Sequence, residues 1–161
     1  MIVPSLAGSL TAVLDQRKLL AGWIEGLLEA HPLSKVLRSM PGVGVRTGAH
    51  ILIEVGDGST FPTAGHPAAS AGLAPATRSS GSSIRGEQPS RRGNKQLERA
   101  FFLSAFAALA DPASRTYYDK KIVQGEHHTQ ALLCLARRRT DVLFAMLRDG
   151  TFYEPRPASA G

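Results

Sequence analysis

Two apolar-periodic stretches of the chain meet at Met40-Pro41-Gly42-Val43-Gly44, and that five-residue break constrains the fold more than any other feature. Proline cannot donate to a helix ladder, and glycine enters left-handed backbone without a Cβ clash. One helix must therefore end here and a second begin in a new direction. The unit over 33–56 reads as a helix-hairpin-helix whose second helix covers 45–55. Glycines at such a turn let another backbone come close, and the helix start leaves amides that suit a phosphate. Gly42, Val43 and Gly44, with Arg46 just beyond, are accordingly candidate nucleic-acid contacts. A plain hairpin between two helices is the simpler reading of the same residues.

Upstream, residues 5–30 predict one amphipathic helix. Leu6, Val13, Leu20 and Leu27 recur every seven residues, and Leu10, Arg17 and Ile24 fall between them, so six of seven seam positions are apolar. Ser5 is placed to cap the start, and Pro32 follows the end. The pattern predicts a coiled-coil arm over 1–32 that joins another domain or another copy of the chain. A helix packed on its own domain is the competing reading.

Downstream, 57–65 is a polar connector, 67–71 a short helical stretch, and Gly72-Leu73-Ala74-Pro75 a break. A helix over 94–110 puts Leu97, Phe101, Ser104 and Ala108 on one face, with Phe102 and Phe106 adding bulk. Asp111-Pro112 ends it and caps a shorter helix reaching about Val123. A last helix over 128–148 turns Leu132, Leu135, Val142, Leu143, Met146 and Leu147 inward. Arg137, Arg138 and Arg139 are expected to form a basic step across its other side. The fold class is thus mainly α. A helical domain over 33–155 carries the helix-hairpin-helix and a long basic loop, with the arm before it and a disordered tail over 156–161 after it.

The 161 residues carry a net charge of +6 and a pI of about 10.0, a balance that favours a polyanionic partner. Aromatic residues make up only 6% of the chain, which argues against a broad stacking platform. Cys134 is the one cysteine, so an internal disulfide is excluded, and its apolar neighbours mark it as a core residue. The five histidines show no zinc-ligand spacing with it, and no metal site is expected in this chain. No apolar run suits a membrane span and the amino terminus has no signal-peptide pattern, so a cytoplasmic protein without membrane contact is expected.

The segment 76–93 is nearly free of apolar residues, and loops of that length inside a domain are usually functional or disordered. It admits a small hairpin. Between 76 and 100 stand six basic residues, Arg78, Arg85, Arg91, Arg92, Lys95 and Arg99, against the acidic Glu87 and Glu98. Serines and glycines are interleaved with them. Arginine forks pair bidentately with phosphate, and glycine lets the backbone approach it. A solvated Ser/Arg linker is the alternative, but Arg91-Arg92-Gly93 runs directly into a helix at Asn94.

Over 37–155 the chain resembles the transposase domain of the insertion-sequence family usually called IS-one-ten. The likeness lies in the ordered series Met40-Pro41-Gly42-Val43-Gly44, Ala71-Gly72-Leu73-Ala74-Pro75, Ser80-Gly81, Ile84-Arg85-Gly86, Ser90-Arg91-Arg92-Gly93-Asn94-Lys95, Tyr117-Tyr118 and Leu147-Arg148-Asp149-Gly150-Thr151. The resemblance implies an RNA-guided recombinase that assembles as an oligomer. In it, an amino-terminal RuvC-like domain with acidic Mg²⁺ ligands is joined through a coiled coil to a domain like this one. The acidic domain of one protomer and a serine of another form a composite site, where the serine attacks a DNA phosphate. That serine corresponds here to Ser80.

Elementary chemistry is compatible with the assignment. A serine hydroxyl is a weak nucleophile that needs a base, a metal or both, and phosphoryl transfer needs positive charge around its oxygens. Arg78 and Arg85 flank Ser80, while Arg91, Arg92 and Lys95 are placed to hold a DNA or RNA backbone. The nearest carboxylate is Glu87, so no internal triad is evident, and Ser79, Ser82 and Ser83 are local competitors. The expectation is a recombinase module that supplies Ser80 to a RuvC-like acidic domain in trans. DNA and a guide RNA are its expected partners, with self-association through the amino-terminal helix. The chain binds no cofactor itself, Mg²⁺ comes through the partner domain, and activity alone is not expected. A non-catalytic nucleic-acid-binding module, a truncated transposase remnant and an oligomerisation fragment are the alternatives.

Overall fold

The computed structural model of the chain describes residues 2–59, 61, 65–73, 75–76, 88–89 and 93–155. The architecture is mainly helical. Along the chain come α1 (Ile2–Ala30), α2 (Ser34–Ser39), α3 (Val45–Val55), α4 (Gly65–Ser70), β1 (Pro75–Ala76), β2 (Gln88–Pro89), α5 (Lys95–Ala107), α6 (Pro112–Val123) and α7 (His128–Asp149). A single 3₁₀ turn, Ala108–Ala110, links α5 to α6. The two short strands pair antiparallel, Pro75 opposite Pro89 and Ala76 opposite Gln88.

The Pro-Gly break acts as its composition demands. Helix α2 stops at Ser39, Gly42 takes a φ of 77°, and the Val43 amide donates to the Met40 carbonyl at 3.1 Å. The chain then restarts as α3 and runs antiparallel to α5. That direction follows from the ends. Gly42, just before α3, lies against Ser104 late in α5 and Ala108 just after it, whereas Glu54 near the end of α3 bonds Asn94 at the start of α5. Helix α7 packs along α5 and also touches α2, α4 and α6. Phe101, Leu37, Met40, Ile51, Leu97, Leu132, Leu135 and Leu143 are fully enclosed between these elements. Burying side chains of this size stabilises by about 1.5–3 kcal/mol each, before the entropy of ordering them is counted.

Local chemistry sets the remaining helix ends. The Asp111 carboxylate accepts from the Ser114 amide at 2.9 Å while Pro112 opens α6. Gly150, at φ 64°, closes α7 in left-handed backbone. Beyond it, the Tyr153 amide donates to Ser39 Oγ at 2.9 Å and draws the carboxy-terminal segment back over the domain.

Four features depart from the sequence expectation. Helix α1 begins at Ile2, so Ser5 lies inside it and does not cap it. Phe106 faces solvent, 54% exposed, because the buried face of α5 runs through Leu97, Phe101, Ser104 and Ala108. Cys134 is only half-buried, at the edge of a surface groove. Arg139 is not part of an outward basic step; it is 4% exposed. It follows Leu132 and Leu135 at helical spacing, and its Nη2 donates to the Pro41 carbonyl and to Ser104 Oγ, the latter at 3.0 Å. Burial pushes its guanidinium down to about 10, against the opposing influence of Tyr153 and Asp111, so it remains charged at neutral pH.

Helix α1 touches the domain through its last turns, where Leu28 is buried near Gly48. The expected seam is exposed in the single chain, from Leu6 and Val13 to Leu27. No described helix is long and apolar enough to cross a membrane.

A Cβ at Gly42 would fall 2.7 Å from the Ala108 nitrogen, in a backbone conformation that L side chains rarely adopt. Gly42→Ala is therefore expected to destabilise by about 3 kcal/mol and to lower the urea midpoint by roughly 1–2 M. Gly48→Ala, whose Cβ would meet Leu28 and Val43 at an ordinary 3.6 Å, should be neutral or stabilising by up to ~1 kcal/mol in the same titration. A second expectation concerns Asp141 on α7, whose carboxyl burial holds above its ordinary range against the pull of Arg137. A raised folded-state pKa contributes stability present below the unfolded value and lost as pH rises through the folded one. Asp141→Asn should accordingly melt higher than wild type at pH 7, with the gap closing as the pH falls below the ordinary carboxylate range.

Candidate nucleic-acid interface

The two ends of the basic loop are held at one place in the fold. At the near end, the β1–β2 ladder joins the residues on either side of 77–87. At the far end, Gly93 lies against the Ala71-Gly72 turn so closely that a Cβ there would fall 2.6 Å from the Gly72 Cα. The next residue is a junction. The Asn94 amide donates to the Ser70 carbonyl at 2.7 Å, and its side-chain oxygen accepts from the Gln96 and Leu97 amides at 3.0 and 3.1 Å. Its side-chain nitrogen donates to the Glu54 carboxylate. One asparagine thus caps α5, ties α5 to α3 and fixes the loop's exit to the end of α4. Lys95 follows, exposed and ion-paired to Glu98 at 2.5 Å, and Arg99 is exposed one turn on.

The residues expected to carry chemistry or charge on the loop itself, Ser80, Arg78, Arg85, Arg91 and Arg92, lie outside the described residues. What is described is their frame, a stem whose two ends meet beside the start of α5.

The turn between α2 and α3 lies elsewhere. It precedes the amino end of α3, whereas Glu54 and Asn94 meet near its carboxy end. At about 1.5 Å per helical residue, the nine-residue span from Arg46 to Glu54 separates the two groups by ~12 Å along the axis. Within the turn the candidate residues divide by role. Val43 is buried in the core, its amide spent on Met40, and Gly42 is occupied by the approach of α5. Gly44 and Arg46 are exposed, and Gly44 gives α3 no side-chain cap, so the first amides of that helix have no such partner. A phosphate contact at this turn would use Gly44 and Arg46, while Gly42 and Val43 shape the turn from inside.

Sequence reasoning passed over a third group. Tyr117 and Tyr118 on α6 both have cations over their rings, Arg138 at 4.8 Å from the Tyr117 centre and Arg115 at 5.8 Å from that of Tyr118. The adjacent tyrosines and the exposed Arg137-Arg138 pair were legible one by one. Their meeting across two helices was not. Among the described residues, no three His, Cys, Asp or Glu gather as a metal-holding set.

Comparison with known proteins agrees with the likeness carried by the motifs. The family model "Transposase IS116/IS110/IS902 family" matches residues 34–119, just over half of the chain, from α2 through the basic loop into α6. The chain is 68% identical over 157 residues to the "Insertion element IS110 uncharacterized 43.6 kDa protein" of Streptomyces coelicolor, covering 97% of this chain and 39% of that protein. It is 45% identical over 139 residues to the "Insertion element IS900 uncharacterized 42 kDa protein" of Mycobacterium paratuberculosis, covering 85% and 35%. A "Pilin gene-inverting protein" of Moraxella bovis is 30% identical over 131 residues, covering 80% and 41%. The chain therefore spans about two fifths of the length of these relatives. On the matched span and these identities, the chain belongs to the IS116/IS110/IS902 transposase family.

Proposed function

We propose that this chain is a DNA-recombination module that presents Ser80 as a nucleophile on its basic loop. The observation that carries the reading is the stem: Gly93 against Gly72, and Asn94 bonded to α3, α4 and α5 at once, anchor the loop at the head of α5, whose inner face is buried in the core. A reacting group displayed on a loop gains from a rigid base, because catalysis depends on holding the attacking atom near its target. Membership of a transposase family, and relatives named for an insertion element and for pilin-gene inversion, give DNA as the substrate class.

In this reading the Ser80 hydroxyl loses its proton to a base or to water and attacks a DNA phosphorus. The Ser80 oxygen–phosphorus bond forms as the bond to one deoxyribose oxygen breaks, and that oxygen leaves with a proton. Arg78 and Arg85 offset charge on the phosphoryl oxygens, while Arg91, Arg92 and Lys95 hold the backbone. The Mg²⁺ implied by the family resemblance finds no donor set among the described residues. It is assigned to a RuvC-like acidic domain acting in trans, and no step of this chain is routed through it. Guide RNA and self-association through the exposed seam of α1 complete the proposed assembly.

Mixing the chain with an acidic domain, guide RNA, Mg²⁺ and labelled DNA tests this. A denaturant-resistant protein–DNA band is expected for wild type and none for Ser80→Ala; a band that persists without Ser80 would rule the assignment out. Salt-steep binding without any band would favour a non-catalytic module. The stem makes its own demand: Asn94→Ala should cost about 1 kcal/mol of stability through the lost cap, and should reduce the band more than it reduces DNA binding.

A further inference from the structure

One face of the domain plays no part in the serine chemistry. Between α6, α7 and the carboxy-terminal segment lies a groove of about 1350 Å³, lined by Tyr117, Arg137, Arg138, Asp141, Tyr153 and Glu154 among others. Met40 and the buried Arg139 belong to its floor, and the Tyr153–Ser39 bond holds its far wall. Arg138 lies over the Tyr117 ring at 4.8 Å, and the Lys121 ammonium is 6.0 Å from the same ring centre. Arg137 and Arg138 are exposed, and neither enters an ion pair among the described residues.

Size, shape and chemistry narrow the occupant. The groove exceeds the ~300–1,000 Å³ of ordinary small-molecule pockets, which suits a polymer better than a compact ligand. Tyrosine offers a π-face that any base can stack on, and arginine beside it adds a cation that stacks and pairs with phosphate. A paired base keeps its faces inside the duplex, so a ring used in this way selects an unpaired strand. The two carboxylates, Asp141 and Glu154, repel phosphate but accept hydrogen bonds from base amino groups. They therefore favour bases turned inward and phosphates kept on the arginine rim.

We infer that this groove binds an unpaired nucleic-acid strand, with a base stacked on Tyr117 and the adjoining phosphates on Arg137 and Arg138. The inference rests on the reading of the chain as a nucleic-acid module, but not on Ser80 being a nucleophile. Helix α6 departs from the carboxy end of α5, whereas the loop stem sits at its amino end. The thirteen residues of α5 set the two regions ~20 Å apart. The module thus grips nucleic acid at two separated places, one at the loop and one in the groove.

Fluorescence anisotropy with labelled single strands of about ten nucleotides, DNA in one arm and RNA in the other, tests this on the full chain. Arg137→Ala/Arg138→Ala should weaken single-strand binding roughly tenfold or more and lower the slope of log affinity against log salt by about 1.4. Tyr117→Leu should weaken it roughly tenfold while Tyr117→Phe binds as wild type, since stacking needs the ring and not the hydroxyl. The arm that responds to both changes identifies the strand. Unchanged affinity and slope in both arms, with folding verified by circular dichroism, would overturn the groove site. Sensitivity to the arginines but not to Tyr117→Leu would overturn the stacked base. Repeating the measurement in Ser80→Ala separates the two readings, because loss of the covalent band leaves this binding untouched.

Discussion

Arg139 brings a charged guanidinium into the middle of a helical domain, where a cation is costly unless it finds acceptors. It finds the Pro41 carbonyl and the Ser104 hydroxyl, one from the break between α2 and α3 and the other from the buried face of α5. Those bonds join α7 and α5 to the turn between α2 and α3, at the point where the chain reverses. Gly42 makes the junction feasible from the other side by admitting the α5 backbone where any Cβ would collide with it. Removing either partner would leave a buried donor or acceptor unsatisfied, which is why the turn and the helix behind it behave as one unit. Arg139 Nε has no protein partner in this arrangement and is the one buried side-chain polar atom left so among the described residues.

From that junction the rest of the architecture follows. With one end of the antiparallel α3–α5 pair closed by Arg139 and Gly42, the other end is closed by Asn94 and Glu54. The basic loop leaves from the Asn94 end, and the groove between α6 and α7 opens at the Arg139 end. A short helical pair therefore separates the stem of the basic loop from the groove. Helix α1 stands apart from this logic. It is anchored by Leu28 and leaves a row of leucines and Trp23 exposed along its length, the surface that the proposed self-association would cover.

Helix positions were the most legible part of the sequence, because each is set by chemistry within a few residues. Pro41 and Gly42 end α2, Asp111 and Pro112 open α6, Gly150 closes α7, and the apolar spacing of Leu132, Leu135 and Leu143 orients α7. Family membership was legible as well, from an ordered series of short motifs of which each alone is weak. Arg139 was misread because arginine is usually a surface residue, although its spacing from Leu132 and Leu135 already placed it on the inner face of α7. Phe106 was misread for the opposite reason: bulk and apolarity suggest a core residue, but its position on the helix faces water.

The amino-acid sequence by itself determined the main helices, most of their ends and the family, since propensity, capping and motif order act over short stretches of chain. Only the tertiary structure decided that Gly42 and Val43 serve the interior, that Asn94 joins three elements, and that Tyr117 on α6 meets Arg138 on α7. The physical reason is that these depend on which backbone approaches which and on how α6 lies against α7. Such approaches are set by the packing of the whole core, between residues as distant in sequence as Pro41 and Arg139.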